Sequence, residues 1–174
     1  YAKGAAVLKQ LVAWVGRDAF VDGVRSYFTQ HAWKNTELAD LLGALEQTSG
    51  RDLSSWAKEW LETAGLNTLR PEFEVDVDGR FTTFDIVQSA PENHPTLRSH
   101  RIAVGLYEHG ETGLARTGRV ELDVVGERTS VTELVGMQQP DLVLVNDDDL
   151  AYTKIRLDER SAKTLVDHIG DLSD

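Results

Sequence analysis

At Pro71 the spacing of apolar residues changes from about 3.6 to about 2, so the chain must fold first as helices and then as a sheet. Ahead of Pro71, Val7, Leu8, Leu11, Val12 and Val15 form one apolar stripe within residues 3–15. Phe20, Val24, Tyr27 and Phe28 form a second within 18–31, and Leu38, Leu41, Leu42 and Leu45 a third within 36–49. Leu53, Trp56, Trp60 and Leu61 recur at helical spacing within 52–63. Gly16, Gly50 and Gly65 stand where helices should stop, and Asn35 or Thr36 is placed to cap the third. Short amphipathic helices with tight links predict a helical packing unit.

Beyond Pro71, Phe73, Val75 and Val77 alternate with Glu72, Glu74, Asp76 and Asp78. Asp78-Gly79 signals a two-residue hairpin, because a type I′ turn needs positive φ at both positions. That register sets Val77 opposite Arg80, Val75 opposite Thr82 and Phe73 opposite Phe84, with Phe73, Val75, Phe84 and Ile86 on one face. Ile102, Val104 and Leu106 predict another strand. Val120, Leu122 and Val124 predict one with Arg119, Glu121 and Asp123 outward. Residues 142–145 are continuously apolar, as in a strand covered on both faces. A helical pattern returns from Leu157, with Leu165, Val166 and Ile169 together. The expected class is α+β: a short N-terminal helical bundle, an antiparallel β-sandwich and a C-terminal helix, divided as 1–66, 67–156 and 157–174.

Charge narrows the partners. Acids outnumber bases 29 to 18, giving −11, and no basic stripe is present to meet phosphates. Nucleic acid and anionic membranes are therefore not expected partners. The chain has no cysteine, so disulfides and thiolate metal sites are excluded. No apolar run approaches the ~20 residues that cross a bilayer, and no signal peptide is visible. The expected location is cytoplasmic. The chain opens at Tyr1 rather than Met, inside a helical pattern, and is expected to be an internal piece of a longer protein.

Few residues suggest chemistry. His31, His94, His100, His109 and His168 include no pair four apart, so the HExxH zinc helix is missing. His94 and His100 read as solvated loop residues, and His31 as a helix-end residue beside the negative pole of the dipole. The run from Asn146 to Asp149 resembles the start of a calcium loop but lacks its glycine and glutamate, and reads as a solvated turn ending the last strand. Glu72, Glu74, Asp76 and Asp78 read as a solvated face, and Trp56 and Trp60 as core. No GxSxG elbow, P-loop or GxGxxG is present.

The opening residues are the exception. Tyr1-Ala2-Lys3-Gly4-Ala5-Ala6-Val7-Leu8 is similar to the Tyr-x-Lys-Gly-x-x-Val-Leu element of the M1 (gluzincin) zinc aminopeptidases. The similarity runs on through Phe20, Gly23, Arg25, Tyr27, His31, Asp40-Leu41, Ala44-Leu45-Glu46, Ser49-Gly50, Asp52-Leu53 and Trp60. Residues 140–150 resemble the end of the β module in the actinobacterial-type branch. Gly65-Leu66-Asn67 departs from the Gly-aromatic-Pro often found where the family's catalytic domain ends.

The resemblance implies a parent that hydrolyses amino-terminal residues from peptides with one zinc. In that parent the chain would supply the tail of the catalytic domain, the β-sandwich and the start of a helical domain. Its partners would be peptide substrates, the upstream catalytic domain and the downstream helical domain. Tyr1 matches the family's catalytic tyrosine, which donates a hydrogen bond to the oxyanion at the scissile carbonyl. The zinc ligands and general-base glutamate of the family lie upstream, so this chain alone is expected to hold no zinc and to be inactive. A non-catalytic scaffold or adaptor, and a β-sandwich binding module, remain alternative readings.

Overall fold

The structure, a computed structural model, describes residues 1–110 and 113–168, with only the backbone of Ala2. Helix α1 (Ala2–Val15) stops at Gly16, whose φ of 88° favours a residue without Cβ. Helices α2 (Arg17–Gln30), α3 (Leu38–Ser49) and α4 (Ser54–Leu61) follow. Their shared core is Val7, Leu11, Val15, Leu45, Leu53, Trp56 and Trp60. Helices α2 and α3 meet at Gly23, where a Cβ would come within 2.8 Å of Leu45 Cδ2 and Thr48 Oγ1.

The stripes are legible but narrower than their spacing suggests, since Leu8, Phe28 and Leu38 are exposed. The start of α3 also differs. Its first turn is closed at Glu37, whose backbone N donates to the Asp40 carboxylate at 2.8 Å. The Thr36 hydroxyl is engaged elsewhere, 2.6 Å from the Tyr27 phenol.

Two sheets form the sandwich. One orders β5 (Arg128–Ser130), β2 (Phe81–Ser89), β1 (Thr68–Val75) and β7 (Lys154–Ile155); the other orders β4 (Gly113–Val124), β3 (His100–Gly110) and β6 (Leu142–Val145). Pairing is antiparallel except between β1 and the two-residue β7. The inner faces bury Leu69, Phe81, Phe84, Ile86, Ile102, Val104, Leu106 and Val145. Strand β1 begins ahead of the period change, and Pro71 lies inside it opposite Ile86, beyond the two residues that pair with β7. A missing N–H is tolerated there, where β1 has no second partner.

Phe73 faces Phe84 as expected, but a bulge after Glu74 puts Val75 opposite Phe81 rather than Thr82. The turn is one residue longer than Asp78-Gly79 alone implies. Gly79 N donates to Asp76 O at 3.0 Å, Asp76 N donates to Arg80 O at 2.8 Å, and Gly79 holds a φ of 76°. This is a type I turn followed by a left-handed residue, the usual three-residue hairpin. The Asp76 carboxylate stabilises it by accepting from the backbone of Asp78 and Arg80. Val75 and Val77 are consequently exposed.

Strand β3 is buried on both faces. Ile102, Val104 and Leu106 face the sandwich core, and Ala103 and Gly105 lie beneath the other layer. Helix α1 packs across that second face, where Gln10 Nε2 donates to Arg101 O at 3.1 Å. The face of β4 read as outward is therefore partly covered. Asp123 pairs with Arg101 from β3 and with Arg51 from the loop between α3 and α4, at 3.0 and 2.9 Å.

Helix α5 (Glu159–His168) lies on β6. Val143 N donates to Ser161 Oγ at 2.8 Å, and Thr164 Oγ1 donates to Asp141 O at 2.7 Å. Leu165 is half-buried and Val166 exposed, while Ile169, the third member of that stripe, lies outside the described residues.

The turn after β6 is only partly solvated: Asp148 and Asp149 are exposed, whereas Asn146 and Asp147 are buried. Asn146, Asp148 and Asp149 adopt left-handed φ values of 62°, 63° and 51°, which Asn and Asp tolerate better than other side chains. Asn146 closes the turn on itself, donating to Ala151 O and accepting from Ala151 N. The turn drives Asp147 inward to 3% exposure, where it accepts from Tyr107 Oη at 2.7 Å and Arg116 Nη1 at 2.8 Å. Burial and this carboxylate push the Tyr107 phenol up to about 12.

Gly105 makes room for that carboxylate. A Cβ there would stand 2.6 Å from Asp147 Oδ2 and 2.7 Å from the Tyr107 ring. Gly105→Ala is expected to cost about 2 kcal/mol, the scale of overpacking a filled site, read as a lower urea midpoint at unchanged slope. An unchanged midpoint would show that Asp147 does not depend on this contact.

Candidate functional site

Tyr1 stands at the N-cap of α1 with its side chain fully exposed, and its carbonyl accepts from Ala5 N at 2.9 Å. The helix that carries it is fastened to the sandwich at two further points. Gln10 reaches β3, and Lys9 Nζ donates to Asp148 O at 2.9 Å and lies 3.6 Å from the Asp149 carboxylate. The phenol is thus presented from a helix whose axis is set by the sheet below it.

The second fastening between helices and sheet is at Arg98, only 3% exposed. Its guanidinium donates from Nε to Glu59 O at 2.8 Å, and from Nη2 to Thr63 Oγ1 and Ala64 O at 2.6 and 2.9 Å. These acceptors lie at and just beyond the C-terminal end of α4, where carbonyls lack helical partners and a cation meets the negative pole. Trp60 Nε1 donates to Ser99 O at 2.9 Å, while Ser99 N donates to Glu59 Oε2 at 2.7 Å. The Arg98 guanidinium also lies over the Trp60 ring, 5.5 Å from its centroid. Desolvation lowers the Arg98 pKa, an effect that the nearby Glu59 carboxylate opposes.

Asn67 joins this clasp to the sandwich. Its Nδ2 donates to Thr96 O at 2.8 Å, and its backbone carbonyl accepts from Thr153 Oγ1 and Lys154 N. This is the position where the sequence departs from Gly-aromatic-Pro, and a proline there would lack the amide that reaches Thr96.

His100 was expected in solvent but is completely buried at the start of β3. Its Nε2 lies 2.8 Å from Gln88 Oε1 and 3.3 Å from Asn67 Oδ1. Both amide NH₂ groups are committed to carbonyls, Gln88 to Gly126 O and Asn67 to Thr96 O, so both amides turn their oxygens to the ring. Nε2 must then be the protonated nitrogen, leaving Nδ1 as a buried lone pair. The ring stands edge-on to Trp60, with centroids 5.1 Å apart. Burial first, and then the Arg98 charge, lower its pKa to about 3.

The other candidates fall elsewhere. His94 is exposed, and its Cβ backs Gly65, where φ is 87° and a Cβ would lie 2.6 Å from it. His31 closes α2 and stacks near Tyr27. The rings of His109 and His168 lie 3.9 Å apart, joining β3 to α5. Trp56 and Trp60 are core, whereas Trp33 is fully exposed. Glu72 pairs with Arg128 and Arg70, which, Arg128 foremost, hold its carboxyl below the usual range.

Among the described residues no group of three or more His, Cys, Asp or Glu could hold a metal ion. Zinc, which the family resemblance implies, therefore finds no fitting donor set among the described residues. No described helix is long and apolar enough to cross a membrane.

One recess opens between α1 and the sandwich. It has about 350 Å³ and is lined by Lys3, Gly65, Leu66, Pro91, Tyr152 and Lys154. Tyr152 also packs against the helical core, so this wall is shared by both layers. Neither the recess nor Arg98 is signalled by any local motif.

The motif at Tyr1, on a helical unit seated against a two-sheet sandwich, defines the class. Residues 1–60 match the Peptidase family M1 domain. In particular the chain is similar to Aminopeptidase N of Streptomyces lividans, at 58% identity over 181 aligned positions, covering 100% of this chain. The chain spans only 21% of the length of that relative. Aminopeptidase N of Lactococcus lactis subsp. lactis is 40% identical over 72 residues, covering 41% of this chain and 8% of the relative. A crystal structure of Legionella pneumophila aminopeptidase A in complex with aspartic acid shares the fold. Its TM-score is 0.72 at 16% identity, over 95% of this chain and 19% of that one.

The buried His100 makes stability fall with acidity. The folded chain keeps the ring neutral down to about pH 3, whereas an unfolded chain protonates it near pH 6.5. Between those values the unfolded state binds the extra proton, so stability is present above the window and is lost as pH drops through it. From pH 7 to pH 5 this group should remove about 2 kcal/mol. His100→Gln should make the loss of stability over that range smaller by about that amount, measured by urea unfolding at each pH. Parallel pH profiles for the two proteins would exclude His100 as the source.

Proposed function

We propose that this chain is part of a zinc-dependent aminopeptidase that removes single amino acids from peptide amino termini. In this reading Tyr1 donates the hydrogen bond that stabilises the oxyanion at the scissile carbonyl. The observation that carries the reading is the 58% identity to Aminopeptidase N along the whole chain, joined to a fully exposed Tyr1 at a helix start. A phenol hydroxyl is a hydrogen-bond donor. The metal, its ligands and the general base would be supplied by residues outside this chain.

The proposed division is a catalytic-domain tail in 1–66, a sandwich in 67–156 and the start of a helical domain from 157. In this reading the exposed Leu8, Phe28, Trp33 and Leu38 are positions that the rest of the catalytic domain would cover. Fully exposed Trp side chains are uncommon in isolated soluble domains and mark contact surfaces where they cluster with other apolar groups. The peptide substrates and a cytoplasmic location belong to the same proposal.

In the full-length enzyme, Tyr1→Phe should lower kcat by about a hundredfold to a thousandfold with little change in KM, as for loss of one oxyanion donor. Unchanged turnover of an alanyl p-nitroanilide would remove Tyr1 from the chemistry. The isolated 174-residue chain should not hydrolyse that substrate with or without added zinc. Zinc-dependent turnover by the chain alone would overturn the assignment of the metal to residues outside it.

A further inference from the structure

We propose that Gln10 and Lys9 are positioning residues for Tyr1, so that the sandwich, acting through α1, fixes where the phenol is presented. This rests on the reading of Tyr1 as the oxyanion donor, and adds to it two residues that act through Tyr1 without touching substrate.

Tyr1 lies at the end of a lever. Its carbonyl accepts from Ala5 N, so its backbone moves with α1. Tyr1, Lys3, Gly4 and Ala5 are exposed, and the first buried side chain of the helix among the described residues is Val7. The leading turn therefore takes its direction from the residues that follow it. At 1.5 Å of rise per residue, Gln10 stands about 13 Å from Tyr1 along the axis. A tilt of about 5° at Gln10 carries Tyr1 through about 1 Å. Misplacement on that scale can cost about a hundredfold in rate.

Gln10 opposes such a tilt. It is completely buried, and its Nε2 donates to Arg101 O on β3 at 3.1 Å. Its Oε1, equally buried, receives no hydrogen bond among the described residues. An apolar side chain of similar size would leave no such group unpaired. What the amide adds is direction, one bond along a fixed line to a strand carbonyl. One helical turn on, the Arg51 guanidinium lies over the Trp14 ring, 4.6 Å from its centroid. Arg51 pairs with Asp123, which pairs in turn with Arg101. The same strand residue is thus held at its carbonyl by Gln10 and at its guanidinium, through Asp123 and Arg51, from beside Trp14.

Lys9 acts about 100° round the helix axis from Gln10. Its Nζ donates to Asp148 O at 2.9 Å. That carbonyl belongs to the turn closed by Asn146 on Ala151 and anchored by Asp147 on Tyr107 and Arg116. The Asp148 carboxylate is held as well, accepting from Arg119 Nε at 3.0 Å. Two fastenings at different azimuths, to separate elements of the sandwich, fix both the tilt and the roll of α1. The apolar contacts of Val7, Leu11 and Val15 hold the helix down but are non-directional.

The test is a double-mutant cycle in the full-length zinc enzyme with alanyl p-nitroanilide as substrate. Gln10→Met and Lys9→Met are each made with Tyr1 present and with Tyr1→Phe. With Tyr1 present, each should lower kcat by about threefold to tenfold, a fraction of the cost of a full 1 Å displacement, and leave KM unchanged. In the Tyr1→Phe background neither should lower kcat further, because no hydroxyl is left to misplace. Lys9→Arg, which keeps a donor for Asp148 O, should restore turnover. Loss of folded enzyme lowers kcat by the same factor in both backgrounds, and Lys9→Met removes an exposed contact that adds little to stability. An unchanged kcat in either methionine variant, or the same fold loss with and without the Tyr1 hydroxyl, would overturn that residue's role. Failure of Lys9→Arg to restore turnover would do so for Lys9. If Tyr1→Phe alone leaves kcat unchanged, the oxyanion reading fails and the positioning roles with it.

Discussion

The relation between the helical layer and the sandwich depends on the burial of one guanidinium. Taking Arg98 out of water is costly, and the cost is tolerable only because its donors find acceptors at fixed positions. Those acceptors are the spent end of α4, the Thr63 hydroxyl and the Ala64 carbonyl. The neighbouring residue completes the lock, because Ser99 gives its N–H to Glu59 and takes one from Trp60. Helix terminus and strand start thereby satisfy one another, and neither could shift by a residue without stranding buried polar groups. His100 and Gln88 continue the network into the sandwich as neutral members. Adding a second charge beside Arg98 would oppose the first, which is one reason the ring stays unprotonated.

Periodicity carried the architecture into view. The helices, the strands and the switch at Pro71 could all be read because each element buries one face, and burial imposes its period on the residues. Where two faces are buried the signal weakens. Strand β3 alternates no polar residues through Ala103 and Gly105 because helix α1 covers what would otherwise be its wet side. The hairpin was legible as a turn but not in length, since Asp76 lends its side chain to a loop that Asp78-Gly79 alone would close more tightly. Stripe edges at Leu8, Phe28 and Leu38 are apolar without being core.

The site divides in the same way. Tyr1 was identifiable because it sits in a contiguous motif. Arg98, Asn67 and His100 were not, because their meaning lies in partners 12 to 86 residues away. A buried cation or imidazole looks in sequence like any loop residue. Asp147 was misread for a related reason: a run of acids suggests water, yet the left-handed turn that only such residues readily adopt points one of them into the protein. The recess is harder still, drawing on α1, the 65–66 link, the loop at Pro91 and the last strand.

The parallel contact of β7 with β1 places Thr68 beside Lys154. The chain therefore comes into the sandwich and goes out of it at neighbouring points along one edge. A unit threaded in this way behaves like a cassette: its interior can diverge or lengthen at the far hairpins without altering the separation of what precedes and follows it. The segments on either side are thus held as neighbours in space across more than eighty residues of intervening chain, through a junction only two strands wide.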